Sequence, residues 1–133
     1  MSALVDTSVL VRYLTGDPPH LASQAIGIMD SSEPLLVTEV ALVETAYALR
    51  TFYAVPQASI VDSLIGLLQK ENVSIFGRDK NLIVQALLLC RPSHRVSFGD
   101  ALIWAAARSG GIQVVYSLDD KFPRVGIEVK DTL

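Results

Sequence analysis

The chain has 133 residues, of which half are hydrophobic and 19% are charged, and its formal net charge is −3. This composition predicts a single globular domain over residues 1–133 and excludes a disordered chain. The small negative charge excludes a global electrostatic attraction to nucleic acid or to an anionic membrane, although it leaves room for a local basic patch.

The cysteine content and the hydropathy of the chain indicate its cellular compartment. The single cysteine, Cys90, lies in an apolar run, so we expect a buried, inert thiol. One thiol without a partner suits a reducing compartment. The N-terminus lacks the features of a signal peptide, and no apolar run reaches the roughly 18–20 residues of a membrane span. We therefore expect a cytoplasmic protein with no membrane contact.

Short apolar runs alternate with helical patterns along the whole chain. Strands are predicted at 3–5, 35–37, 73–76, 114–116 and, as a possible short fifth, 127–129. Helices are predicted directly after Asp6 and at about 19–31, 38–54, 56–71, 79–90 and 97–109. Because the runs are too short for helices and are separated by helices, the pattern predicts an α/β fold. We expect three α/β/α layers around a central parallel sheet of four to five short strands.

An acid, Asp6, ends the first predicted strand. Sites in open parallel α/β sheets form beyond the carboxyl ends of the strands, so Asp6 is the first candidate site residue. The alternative is purely structural, because Asp is a good N-cap for the helix that follows.

A second acid, Glu44, lies on an apolar stretch of a predicted helix. Its helical neighbours, three and four positions away, are Val40, Ala41, Tyr47 and Ala48. We therefore expect a buried carboxylate that needs a partner, a metal or a proton. A salt bridge is the alternative. Glu39 begins the same helix, where the helix dipole favours an acid, and we interpret it as structural.

Two further acids, Asp100 and Asp119, are candidates. Asp100 lies at the start of an almost wholly apolar helix, where Ser97 and Asp100 also fit a capping pattern. Asp119 directly follows the fourth predicted strand, as Asp6 follows the first, although Asp is also a common turn residue. Asp120 is the alternative if this register is wrong by one.

With these residues in place, the chain resembles the PIN-domain ribonucleases, and most closely the VapC-type toxins of toxin–antitoxin pairs. The resemblance covers nearly the whole chain and is carried by four segments in order: 5–10 (VDTSVL), 43–50 (VETAYALR), 98–103 (FGDALI) and 116–122 (YSLDDKF). Many relatives have Thr where this chain has Ser117. Some carry an additional acid where this chain has Ser97, which leaves the number of metal ions open.

The resemblance implies an acidic quartet for metal-dependent hydrolysis of RNA: Asp6, Glu44, Asp100 and Asp119. Carboxylates without His or Cys favour hard cations, here Mg²⁺ or Mn²⁺. We expect Asp6 and Asp100 to be the principal ligands of one ion, with Glu44 and Asp119 completing the site. The resemblance also implies a small antitoxin as partner.

The remaining features leave several interpretations open. Arg12, Arg91, His94 and Arg95 are candidate phosphate contacts, with a solvated surface as the alternative, and lone histidines such as His20 are expected at the surface. Trp104 is assigned to packing or to an interface. Apolar residues of the early helices would form a homodimer face or an antitoxin groove: Leu10, Tyr13, Leu14 and Leu49. Two other functions remain, a non-catalytic binding module on the same fold and, less favoured, a phosphotransfer domain.

Overall fold

The computed structural model describes residues 2–133, and Met1, which belongs to the predicted domain 1–133, lies outside the described residues. The strands are β1 (Ala3–Leu4), β2 (Leu35–Val37), β3 (Val73–Ile75), β4 (Val114–Tyr116) and β5 (Glu128–Lys130). The helices are α1 (Thr7–Thr15), α2 (Pro19–Met29), α3 (Glu39–Thr51), α4 (Gln57–Leu68), α5 (Lys80–Cys90) and α6 (Phe98–Ser109). The alternation predicted from the sequence is confirmed.

The strands form two parallel ladders. One has the order β1-β2-β3, with Leu4 opposite Leu36 and Leu36 opposite Ser74. The other pairs β4 with β5, with Val115 opposite Val129. All five predicted strands are present and parallel, and within residues 2–133 they hydrogen-bond as a three-stranded and a two-stranded ladder and not as one continuous sheet. β1 has two residues, and both pair with β2.

The core lies between the helices and the three-stranded sheet, and every helix contributes to it. Its largest fully buried side chains include Leu10, Leu42, Leu64 and Leu87. Burial of each such side chain stabilises the fold by about 1.5–3 kcal/mol relative to exposure. Trp104 is also buried, at 3% exposure, and its indole nitrogen donates to the Val125 carbonyl at 2.7 Å. Its assignment to packing is confirmed.

Some expected boundaries and surfaces are different in the structure. Helix α3 ends at Thr51, before the predicted end at residue 54, because Ala54 has φ 51° and a right-handed helix cannot continue through that conformation. Leu10 and Leu49 are fully buried, so they cannot form the expected dimer or antitoxin face. Among residues 2–133, no helix is both long and apolar enough to cross a bilayer.

Candidate active site

The carboxyl ends of three parallel strands place charged residues along one edge of the sheet. Asp6 follows β1, Glu39 follows β2 and Arg78 follows β3. Because the three strands run in the same direction, these ends lie at the same edge. The sequence analysis predicted a candidate site at this edge of the sheet.

Asp6 has the structural role considered for it, and it also lines a cavity at the carboxyl edge of the sheet. It is the N-cap of α1, and its Oδ2 accepts hydrogen bonds from the Ser8 amide at 3.2 Å and the Ser8 hydroxyl at 2.7 Å. These bonds, the side-chain one first, lower the pKa of Asp6 below its ordinary value, so the carboxylate is ionised at neutral pH. Both bonds use Oδ2, which leaves Oδ1 available to a cation.

Glu44 is exposed, and the expectation of a buried carboxylate was wrong. Helix α3 packs against the core through a different face: Ala41, Leu42, Thr45, Ala46 and Leu49. Glu44 lies on the surface with Val40 and Tyr47, which are 66% and 63% exposed. It opens on the same cavity as Asp6, which has a volume of about 340 Å³. The structure therefore brings Asp6 and Glu44 together.

Asp100 lies in the first turn of α6 and is partly buried. Its amide donates to the Ser97 hydroxyl at 3.0 Å, which confirms Ser97 as the helix cap. Burial and then the negative charge of Asp100 raise the pKa of the Cys90 thiol to about 12. Gly99 and Ile103, on either side of Asp100 in the sequence, line a groove of about 350 Å³ together with Glu44. The turn that carries Asp100 is thus next to the Glu44 groove.

Asp119 lines a different cavity from the one that Asp6 and Glu44 share. Its Oδ1 accepts from the Lys121 amide at 2.9 Å, within the turn after β4. It lines a separate cavity of about 320 Å³ with Asp120, Lys130 and Asp131. In the part of the chain from 2 to 133, no three Asp, Glu, His or Cys side chains are arranged as a metal-binding group.

Glu39 is a candidate that the sequence interpretation missed. It lines the same groove as Glu44, and its Oε1 lies 3.5 Å from the Arg78 Nε. Both of these atoms are shielded from solvent and lack a hydrogen-bond partner within residues 2–133. The sequence contained a signal for this candidate, because Glu39 comes shortly after β2 as Asp6 comes shortly after β1. The helix-dipole interpretation was preferred instead.

Two of the predicted phosphate contacts have partners within the protein. Arg12 donates to the Asp17 carbonyl at 3.1 Å and to the Tyr53 hydroxyl at 3.4 Å. Arg91 forms a bidentate pair with Asp62, at 2.8 and 2.9 Å. The remaining candidates, His94 and Arg95, are exposed, as is His20.

The parallel α/β architecture and the acids at the carboxyl edge define a nuclease-type fold. The PIN domain family matches residues 3–128, and the chain belongs to that family. PIN domains have a three-layer α/β/α fold, are generally nucleases and generally use divalent metal ions, which supports a hydrolase acting on nucleic acid. Neither a curated protein nor a solved structure matches the chain significantly.

The donors at the Asp6–Glu44 cavity fit a hard divalent cation. Both side chains are carboxylates, and both line one cavity. Mg²⁺ is usually bound through one or two carboxylates while it retains several waters. A site of this kind can form from Asp6 and Glu44 without a three-residue protein cage.

Proposed function

We propose that this PIN domain is a metal-dependent endoribonuclease that uses Mg²⁺ or Mn²⁺ and the acids Asp6, Glu44, Asp100 and Asp119. The observation that carries the proposal is the cavity shared by Asp6 and Glu44 at the carboxyl edge of the sheet. Family membership supports nucleic acid as the substrate class.

The four acids have different roles in the proposed site. Asp6 presents an ionised carboxylate that Ser8 orients from one side. Asp100 joins Asp6 as a principal ligand in this proposal, and Glu44 and Asp119 complete the set directly or through waters. A divalent ion, when bound, supplies an activated water and neutralises charge on the phosphodiester. The chain therefore needs no side-chain nucleophile.

The direct test is cleavage of single-stranded RNA, structured RNA and single-stranded DNA by the purified protein, with Mg²⁺, Mn²⁺ or EDTA. We expect RNA cleavage that requires metal and is lost in Asp6→Asn and Asp100→Asn. Asn retains the capping acceptor at position 6, so loss of activity without unfolding would isolate the charge. Glu71→Gln is the matched control, since Glu71 is an exposed acid that precedes β3 at the opposite edge of the sheet.

The cavity of Asp119, which none of the other three acids lines, favours a second candidate, a non-catalytic binding module on the PIN fold. A folded wild type that cleaves none of these substrates with either metal would support this candidate. Calorimetric titration with Mn²⁺ then tests whether a metal site exists. An intact site predicts a heat of binding in the wild type that is absent in Asp6→Asn and Asp100→Asn.

We further propose that the protein is a homodimeric toxin of a type II toxin–antitoxin system, held inactive by a small antitoxin. Two exposed apolar residues on the same side of α2, Leu21 and Ile28, provide a candidate dimer face in place of the buried Leu10 and Leu49. Expression of the protein alone should arrest growth, and co-expression of a small protein encoded next to it should restore growth. Light scattering of wild type and Ile28→Asp would test the dimer face. Growth arrest that persists in Asp6→Asn would contradict a nuclease toxin.

A further inference from the structure

The Asp6–Glu44 cavity continues along α3 into two more cavities. It shares Val40 and Glu44 with the groove between α3 and α6. That groove shares Val43 and Gly99 with a third cavity of about 210 Å³. We call these three adjoining cavities the α3 trough.

The two ends of the α3 trough carry opposite charge. Asp6 and Glu44 lie at one end, and Arg50 and His94 line the third cavity at the other. No ion pair within residues 2–133 involves Arg50 or His94, in contrast to the bidentate pair of Arg91 with Asp62. The third cavity therefore offers a guanidinium and an imidazole to an anionic ligand.

Aromatic and polar groups complete the third cavity. Tyr47 and Phe98 both line it, and the ring of Tyr47 is 63% exposed and so accessible to a ligand. Gln57 lines it as well and donates through Nε2 to the Cys90 carbonyl at 3.0 Å. The Gln57 Oε1 is shielded from solvent and has no hydrogen-bond partner among residues 2–133. The Tyr47 ring, the Arg50 guanidinium and the Gln57 Oε1 therefore all lie at one small cavity.

We infer that the third cavity is a nucleotide subsite for single-stranded RNA, next to the nucleotide whose phosphate is cut. The base would stack on Tyr47, and a phosphate would lie against Arg50 and His94. From Glu44 to Arg50 the helix rises by about 9 Å, so the acidic and basic ends are close enough for one strand to contact both. Stacking on an aromatic ring is tolerant of sequence, and phosphate contacts carry no sequence information, so the subsite favours unpaired RNA of any sequence.

This inference rests on the proposed nuclease function and is tested by binding in the absence of cleavage. The probe is a fluorescently labelled single-stranded oligoribonucleotide, with anisotropy measured in EDTA over a series of salt concentrations. Tyr47→Ala should weaken binding by about tenfold, and Tyr47→Phe should retain it, because the ring supplies the contact. Arg50→Gln should weaken binding and reduce the salt slope by about 0.7. In cleavage assays both variants should raise KM and leave kcat unchanged.

Two variants serve as matched controls. Phe52→Ala removes another exposed ring near the end of α3, and Arg91→Gln removes a charge that Asp62 already neutralises. If Tyr47→Ala and Arg50→Gln weaken binding no more than these controls while the wild type cleaves RNA, the proposed subsite is wrong. The proposed nuclease function is then unaffected. If the wild type neither binds nor cleaves RNA, both proposals fail. If Tyr47→Ala alters self-association but not RNA binding, the cavity belongs to a protein interface and the inference is overturned.

Discussion

The thiol of Cys90 is buried at the end of α5, and its environment makes it chemically inert. Its Sγ donates to the Ala86 and Ser97 carbonyls, both at 3.7 Å, and burial together with Asp100 raises its pKa from 9.0 to about 12. We expect an alkylating reagent at pH 8 to modify Cys90 only in the unfolded protein, because the thiolate is the reactive form. Mass spectrometry with and without urea measures this. Rapid modification of the folded protein would contradict the burial.

The same pKa shift predicts a dependence of stability on pH. Because the folded pKa lies above the unfolded one, the contribution of Cys90 is fully present below about pH 9 and is lost as the pH rises toward about 12. The free energy of unfolding in urea should therefore fall more steeply above pH 9 in the wild type than in Cys90→Ala. Parallel curves for the two proteins would show that the thiol does not contribute.

Helix α3, the element that carries Glu44, is fixed at its start by Thr38. The Thr38 hydroxyl accepts from the Ala41 amide at 3.1 Å. Thr38→Ala should lower the free energy of unfolding by about 1 kcal/mol, and Thr38→Ser should restore most of it, because Ser provides the same acceptor. Urea unfolding of the three proteins tests this. Equal losses in both variants would mean that the threonine methyl group, and not the cap, is responsible.

The connection between α2 and β2 is held by one amide group. Asn72 Nδ2 lies within hydrogen-bond distance of the carbonyls of Met29, Ser31 and Glu33, at 3.3, 2.9 and 3.1 Å, and its two N–H groups are shared among them. Asn72→Ala should lower the free energy of unfolding by about 1–3 kcal/mol, because it leaves partly buried carbonyls without a donor. Asn81→Ala at the exposed start of α5 is the matched control, and a similar loss there would contradict this role.

At the scale of the whole molecule, the sequence predicted the alternation of elements better than it predicted their association. Periodicity reports the type of an element and its approximate length, and the helices and strands followed it. The pairing of β4 with β5 depends on contacts between strands of three residues, which carry little register information. Glu44 was misplaced for a related reason. Apolar neighbours on a helix are compatible with a core face and with the wall of an exposed groove, and α3 has both.

Because the strands form two separate ladders, metal binding tests whether acids from both ladders belong to one site. A ligand that binds only the folded state stabilises it by about 2.7 kcal/mol at a hundred times its Kd. We expect Mn²⁺ to raise the Tm of the wild type by several degrees and Asp6→Asn to abolish the rise. Glu44→Gln should reduce the rise, since Glu44 lines the same cavity and completes the proposed site. Asp119→Asn should reduce the rise, whereas Asp120→Asn should not.

The last comparison decides whether the two ladders act as one site. Asn at position 119 keeps an acceptor for the Lys121 amide, so the turn is preserved and only the charge is removed. A full Mn²⁺-induced rise in Asp119→Asn would confine the metal to the edge of the three-stranded sheet. A reduced rise would mean that the β4–β5 ladder contributes a ligand, and that the acids from both ladders work together.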